Sequence, residues 1–344
     1  MRSSRPKMLH LLCGRAMLLH VLDRMAELQP DRAVVVVGHG AERVTKALID
    51  EGPPGLTLDF VEQASQRGTG DATSVALTAF PNDDDDSLDV LVAHGDQPLV
   101  QTATLRMLVE HHRASGAAAT VLSVRLPDPT GYGRLVRGRD DRVVRIVEQR
   151  DATPDELAID ETNTGFYVFK RSLLSPALRR LMPNNDQGEL YLTDVIAVLA
   201  EAGHPVESIE AHDPLEMLGI NDRSQLAEAE VELRRRTNKA WMDRGVTMLD
   251  PATVYIDATV HLAPDVTLFP GTFLQGHTSI GERSEIGPDT RLIHVTVGDD
   301  CKVRNTFAEG AEIGDGCVVG PFANLAVGST IRPGTTTGPF YTST

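Results

Sequence analysis

The chain has 344 residues, 41% of them hydrophobic and 24% charged, which is ordinary for a soluble globular protein and enough for two domains with separate cores. Its formal net charge of −16 argues against a general nucleic-acid binder, since wrapping phosphates needs a basic face, but leaves room for a phosphorylated small molecule held by a few cations in one cleft. Three cysteines, Cys13, Cys301 and Cys317, lack C-x-x-C spacing and read as reduced thiols of a cytoplasmic protein. No apolar run approaches the roughly 18 residues of a membrane span, and the start carries no signal-peptide core.

In chain order, MRSSRPKMLH (1–10) is a basic, strandless opening that runs into an apolar helical stretch. The runs AVVVVGHG (33–40) and LDVLVAHGD (88–96) are β-branched and end in glycine, the pattern of buried parallel strands. AERVTKALIDEG (41–52) and TLRMLVEHHRASG (104–116) have helical spacing, and a glycine closes the second. The acidic run at 82–86 reads as a solvated loop. AATVLSVRL (118–126) is a further strand, so strand–helix–strand repetition predicts an α/β, Rossmann-like domain with a mainly parallel sheet. GRLVRGRDDRVVRIVEQ (133–149) predicts a β-hairpin laid over that sheet. A polar-faced helix near 222–244 predicts a connector.

Beyond residue 250 the periodicity changes. Ile256, Leu262, Leu268, Leu274, Ile280, Ile286 and Leu292 recur every six residues, and Ile313, Val319, Leu325 and Ile331 resume the series. A six-residue period with small turn residues marks a β-helix, each hexapeptide forming one side of a triangular coil. A sandwich would alternate with period two.

Several polar positions lie where open parallel sheets bind ligands, beyond the carboxyl ends of strands. Asp96 follows a buried run and suits a hard cation such as Mg²⁺, although a helix cap would also use it. VEQASQRGTGDA (61–72) carries Gln63, Gln66, Gly68 and Thr69, amides able to read a base edge and glycines that admit a ligand to the backbone. DPTGYGR (128–134) contains Gly133, ETNTGFYVF (161–169) places Asn163 before a strand, Glu148 ends the hairpin, and GIND (219–222) offers Asn221. Each alone reads equally as a turn or cap.

As an ordered set, RPKMLH, VVGHG, EQASQRGTGDA, GDQPL, DPTGYGR, IVEQRDA, NTGFYVF, NNDQGELYLTD and GIND closely resemble the bacterial bifunctional N-acetylglucosamine-1-phosphate uridylyltransferase/glucosamine-1-phosphate acetyltransferase family. The resemblance implies a nucleotidyltransferase domain at 1–221, a connecting helix at 222–249 and a short left-handed β-helix at 250–344. It implies Mg²⁺-dependent transfer of UMP from UTP to N-acetylglucosamine 1-phosphate for cell-wall synthesis, with homotrimers formed through the β-helix. Carried over position by position, Asp96 and Asn221 are metal ligands, and Lys7 lies near the nucleotide phosphates. Gln63, Gln66, Gly68 and Thr69 face the uracil, while Gly133, Glu148 and Asn163 face the acetylated sugar. Such a reaction is an in-line displacement at the α-phosphorus, needing positioning and charge neutralisation rather than a covalent nucleophile.

The chain departs from the family pattern in three places. The glycine-rich turn L-A-A-G-x-G-T-R-M that opens family members would end at Met1, so the domain is expected to lack its first strand, with Met1 an internal methionine of the longer motif. The β-helix is expected to be shortened, and no histidine lies in a stretch matching the acetyltransferase region, so acetyl transfer is not expected. His94 and Asp71 stand where other residues are usual. A nucleotidyltransferase for another sugar-1-phosphate, and a non-catalytic β-helix scaffold with a degenerate nucleotide site, are the competing readings.

Overall fold

The computed structural model describes residues 1, 3–38, 40–80 and 88–343; the acidic run at 82–86 lies outside them. The chain forms two compact units, one from residues 1–9 and 17–221 and the other from residues 10–16 and 222–344. No helix among the described residues is long and apolar enough to cross a membrane.

In the first unit the strand Glu161–Lys170 is the organising element. It pairs antiparallel with Ala119–Arg125 on one side and with Asp89–Val92 and Arg134 on the other. Val206–Glu210 adds to Ala119–Arg125 in parallel. The hairpin expected at 133–149 is present as Arg134–Arg137 against Val143–Val147. Because that hairpin returns the chain without a full crossover helix, the strand that follows runs antiparallel to its neighbour, and the sheet is mixed there. Parallel pairing is kept by Val206–Glu210 and by Ala33–Val37 with Leu58–Glu62, which form a separate two-stranded sheet.

Alternation along Glu161–Lys170 divides the core. Phe166 and Val168 pack with Leu105 and Leu108 of the helix Thr102–Ser115, whereas Tyr167 and Phe169 pack with Leu174, Val195, Ile196 and Leu199. The unit is therefore a sheet with a helical layer on each face. Gly116 ends Thr102–Ser115 in the left-handed conformation, its N–H donating to the His112 carbonyl.

The second unit is the β-helix. Fifteen short strands, from Thr247–Met248 to Thr330–Ile331, form three parallel five-stranded sheets. Ile256, Leu262 and Leu268 lie one on each sheet, and Leu274, Ile280 and Ile286 lie next to them one coil later. The sixfold series lapses after Leu292 because the stripe continues through Val297, Val303, Ala308 and Ile313, several of whose steps are five residues long. A shortened side keeps the apolar residue inward and changes only the corner. The helix Arg223–Asp243 belongs to this unit: Asn238 is buried and donates from Nδ2 to the carbonyls of Pro251 and Val254, at 2.8 and 2.9 Å.

Candidate functional site

Three clusters of the expected residues occur in the first unit. The first joins Lys7, Asp96 and Asn221. Lys7 opens a single 3-10 turn, and its ammonium donates to Asp96 Oδ2 at 2.6 Å and to Asn221 Oδ1 at 2.8 Å. The backbone fixes the same geometry, since the Ile220 N–H donates to the Asp96 carbonyl at 3.0 Å. A carboxylate and an amide oxygen thus converge on one cationic nitrogen. The donor set is hard oxygen, as Mg²⁺ prefers, and the ammonium marks a point where positive charge is stabilised. No cluster of three or more His, Cys, Asp or Glu side chains able to hold a metal occurs among the described residues, so a cation here would take its other ligands from phosphates and water.

The second cluster is built on the hairpin and the Glu161–Lys170 strand. The Asn163 N–H donates to the Gly133 carbonyl at 2.9 Å, and a Cβ on Gly133 would lie 3.4 Å from Glu148 Oε2. Glu148 accepts a bond from Thr193 Oγ1 at 3.1 Å. Burial pushes the Glu148 carboxyl above the usual carboxylate range, and the Thr193 bond opposes that rise. His94 links this cluster to the first. A Cβ on Gly165 would come within 2.7 Å of the His94 ring, so only glycine lets the imidazole lie there. Desolvation lowers the His94 pKa, with Asp96 opposing the shift.

The third cluster is the loop from Gln63 to Thr69. Gly68 adopts φ +102°, and a Cβ there would lie 2.5 Å from the Leu190 carbonyl oxygen. The loop is docked on 188–192: Gly70 N–H donates to the Leu190 carbonyl, Leu190 N–H to the Arg67 carbonyl, both at 2.8 Å, and Leu192 N–H to Thr69 Oγ1 at 3.0 Å. Gln63 donates from Nε2 to Asp71 Oδ2 at 2.8 Å and to the Gly68 carbonyl at 3.2 Å. These bonds orient the Gln63 amide and turn its oxygen into the free end. Gln66 is exposed, its amide nitrogen 3.5 Å from where a Gly38 Cβ would stand.

Residues 188–193 therefore join the third cluster to the second, because Leu190 and Leu192 dock the loop and Thr193 holds Glu148. Two supporting residues, Tyr167 and Thr193, are not singled out by the sequence, whereas Asp71 and His94 stand out there as departures from the family pattern. Thr193 lies inside NNDQGELYLTD and Tyr167 inside NTGFYVF, but nothing in local spacing shows which distant side chain each one meets.

A family model described as nucleotidyl transferase matches residues 1–248. The bifunctional protein GlmU of Mycobacterium marinum is 46% identical over 342 residues, covering 99% of this chain and 69% of that protein. Those of Mycolicibacterium vanbaalenii and Mycobacterium tuberculosis are 47% and 46% identical over 339 residues, each covering 98% of this chain and 67% of the relative.

Proposed function

From the premise that this chain belongs to the nucleotidyl transferase family, and within it to the bifunctional GlmU proteins, we propose that it transfers UMP from UTP to N-acetylglucosamine 1-phosphate with Mg²⁺, releasing pyrophosphate. Nucleotidyl transfer to a sugar phosphate is the activity of the family. The observation that carries it is the convergence of Lys7, Asp96 and Asn221 in the same unit as the half-buried Asn163 and Glu148, a polyanion site and a polar, partly desolvated one.

Asp96 and Asn221 would hold the divalent cation, which supplies charge neutralisation on the phosphates. Lys7 adds a second positive charge at the same point. Gln63, oriented by Asp71 and Gly68, presents an amide oxygen able to accept the imide N–H of uracil, and Gln66 lies on the same loop. Glu148 and Asn163 offer an acceptor and an amide to the hydroxyl and acetamido groups of the sugar, with Gly133 leaving room between them. Holding the two anionic reactants in line is the main work of such a site. Incubation with UTP, N-acetylglucosamine 1-phosphate and Mg²⁺ should release pyrophosphate and form the nucleotide sugar. Faster turnover of glucose 1-phosphate would transfer the reading to another sugar.

The raised Glu148 pKa gives a second expected result. A carboxylate accepting from the sugar binds well above its pKa, so the KM for the sugar phosphate should rise as pH falls through a value higher than an ordinary glutamate's. Thr193→Val removes the bond that favours the charged form and should move that rise to higher pH. A pH profile of KM identical in wild type and Thr193→Val would take Glu148 out of the sugar contact. Homotrimer formation through the β-helix, a cytoplasmic location and service to peptidoglycan synthesis belong to the same proposal.

A further inference from the structure

The Glu161–Lys170 strand carries a buried hydroxyl aimed at Asn163. Between Val121 and Ser123 of the neighbouring strand, two residues of progress are matched by four on this one, from Tyr167 to Asn163. The excess is taken up around Gly165, whose φ of +85° bends the strand locally. Asn163 and Tyr167 share one face of the strand, and Gly165 has no side chain to stand between them. As a result, Asn163 Nδ2 donates to Tyr167 Oη at 2.6 Å, while Asn163 Oδ1 accepts from the Gly165 N–H at 3.1 Å.

The two bonds fix which way the amide faces. A flipped amide would turn its NH2 toward the Gly165 N–H, setting donor against donor. One hydrogen of Nδ2 and one lone pair of Oδ1 remain for a ligand, and their directions are set by the two that are used. Tyr167 is itself immobile: it is 1% exposed, and its ring stacks on Phe169 with centroids 5.6 Å apart. Burial pushes its phenol well above the ordinary range, so the hydroxyl stays neutral and can accept at any working pH.

We infer that Tyr167 is a positioning residue for substrate choice: through the 2.6 Å bond it holds the Asn163 amide in the one orientation that recognises the acetamido group of the sugar phosphate. The inference rests on the proposed reading of the sugar. Tyr167→Phe keeps the ring and its stacking and removes only the hydroxyl. We expect the KM for N-acetylglucosamine 1-phosphate to rise about tenfold, the preference over glucose 1-phosphate to contract by the same factor, and the KM for UTP to stay within about twofold.

In an Asn163→Ala background the hydroxyl has nothing to position, so adding Tyr167→Phe should change neither KM nor preference further. A rise in KM that persists in that background, or that appears equally for UTP, would show a general packing defect and overturn the role. An unchanged preference in Tyr167→Phe, with wild type active, would also overturn it. A wild-type chain that shows no preference for the acetylated sugar fails differently, because it removes the sugar assignment along with the role built on it.

Discussion

Asp96→Ala should lower kcat for nucleotide-sugar formation by about a thousandfold, the upper end of what removing one preorganised electrostatic partner costs a reaction of this kind. Asp96 is the sole carboxylate in the Lys7–Asp96–Asn221 cluster, and its substitution also strips Lys7 of its anionic partner. Lys7→Ala should cost about a hundredfold or more in kcat, yet move metal affinity the other way. In the structure the ammonium takes up the two oxygens that a cation would use. A cation bound without nucleotide must displace a charge-assisted bond, a contribution of about 1.5–3 kcal/mol. Without Lys7, Mn²⁺ should therefore bind the nucleotide-free protein about tenfold more tightly, read from the electron paramagnetic resonance of free Mn²⁺. Weaker Mn²⁺ binding in Lys7→Ala would show that the lysine supports the metal site rather than competing for it. Equal activity of Asp96→Ala and wild type would remove the site from this part of the fold.

Much of this was legible in the residues because the signals were local. A six-residue apolar period announces a β-helix coil by coil, and β-branched runs ending in glycine announce strands whose ends face a cleft. Where the β-helix spacing slips to five residues between Leu292 and Ile313, the series disappears from view although the inward stripe through Val297, Val303 and Ala308 is unbroken. Its continuity is set by sheet pairing, which joins residues about a coil apart. The mixed sheet was equally hidden, because the direction of Glu161–Lys170 depends on how the preceding hairpin returns the chain.

The ordered motifs single out Lys7, Asp96, Asn221, Glu148 and Asn163, but the physical settings of these residues come from partners far away in sequence. Thr69, expected to face the base, uses its hydroxyl oxygen to accept the Leu192 N–H, 123 residues away. Gln63 has its donor end occupied by Asp71, so its acceptor end is what it can offer. Glu148 is tuned by Thr193, and Asn163 is oriented by Tyr167 across a strand irregularity centred on a glycine. Spacing identifies candidates; the orientation of each depends on contacts that only the folded chain makes.

The β-helix provides the other large effect. Leu292 is fully buried, with Leu274 and Ala308 as its neighbours along one sheet. Leu292→Ala should cost about 2–5 kcal/mol, nearer the upper figure because Ala308 is already small and offers nothing to fill the space. In a solenoid each coil is held mainly by the coils on either side, so a defect in a central coil weakens two interfaces together. Against a domain stability of about 5–15 kcal/mol, that is a large fraction. Trp241, the chain's one tryptophan, packs against the β-helix core, so its fluorescence follows the unfolding of this unit. Leu292→Ala should shift the denaturant midpoint clearly downward, with an unchanged slope if unfolding remains cooperative. Val327→Ala, at a position 73% exposed, should leave the midpoint within experimental scatter. Equal shifts for the two substitutions would mean that the inward stripe is not the source of the unit's stability, and the three-sided core would have to be abandoned as its explanation.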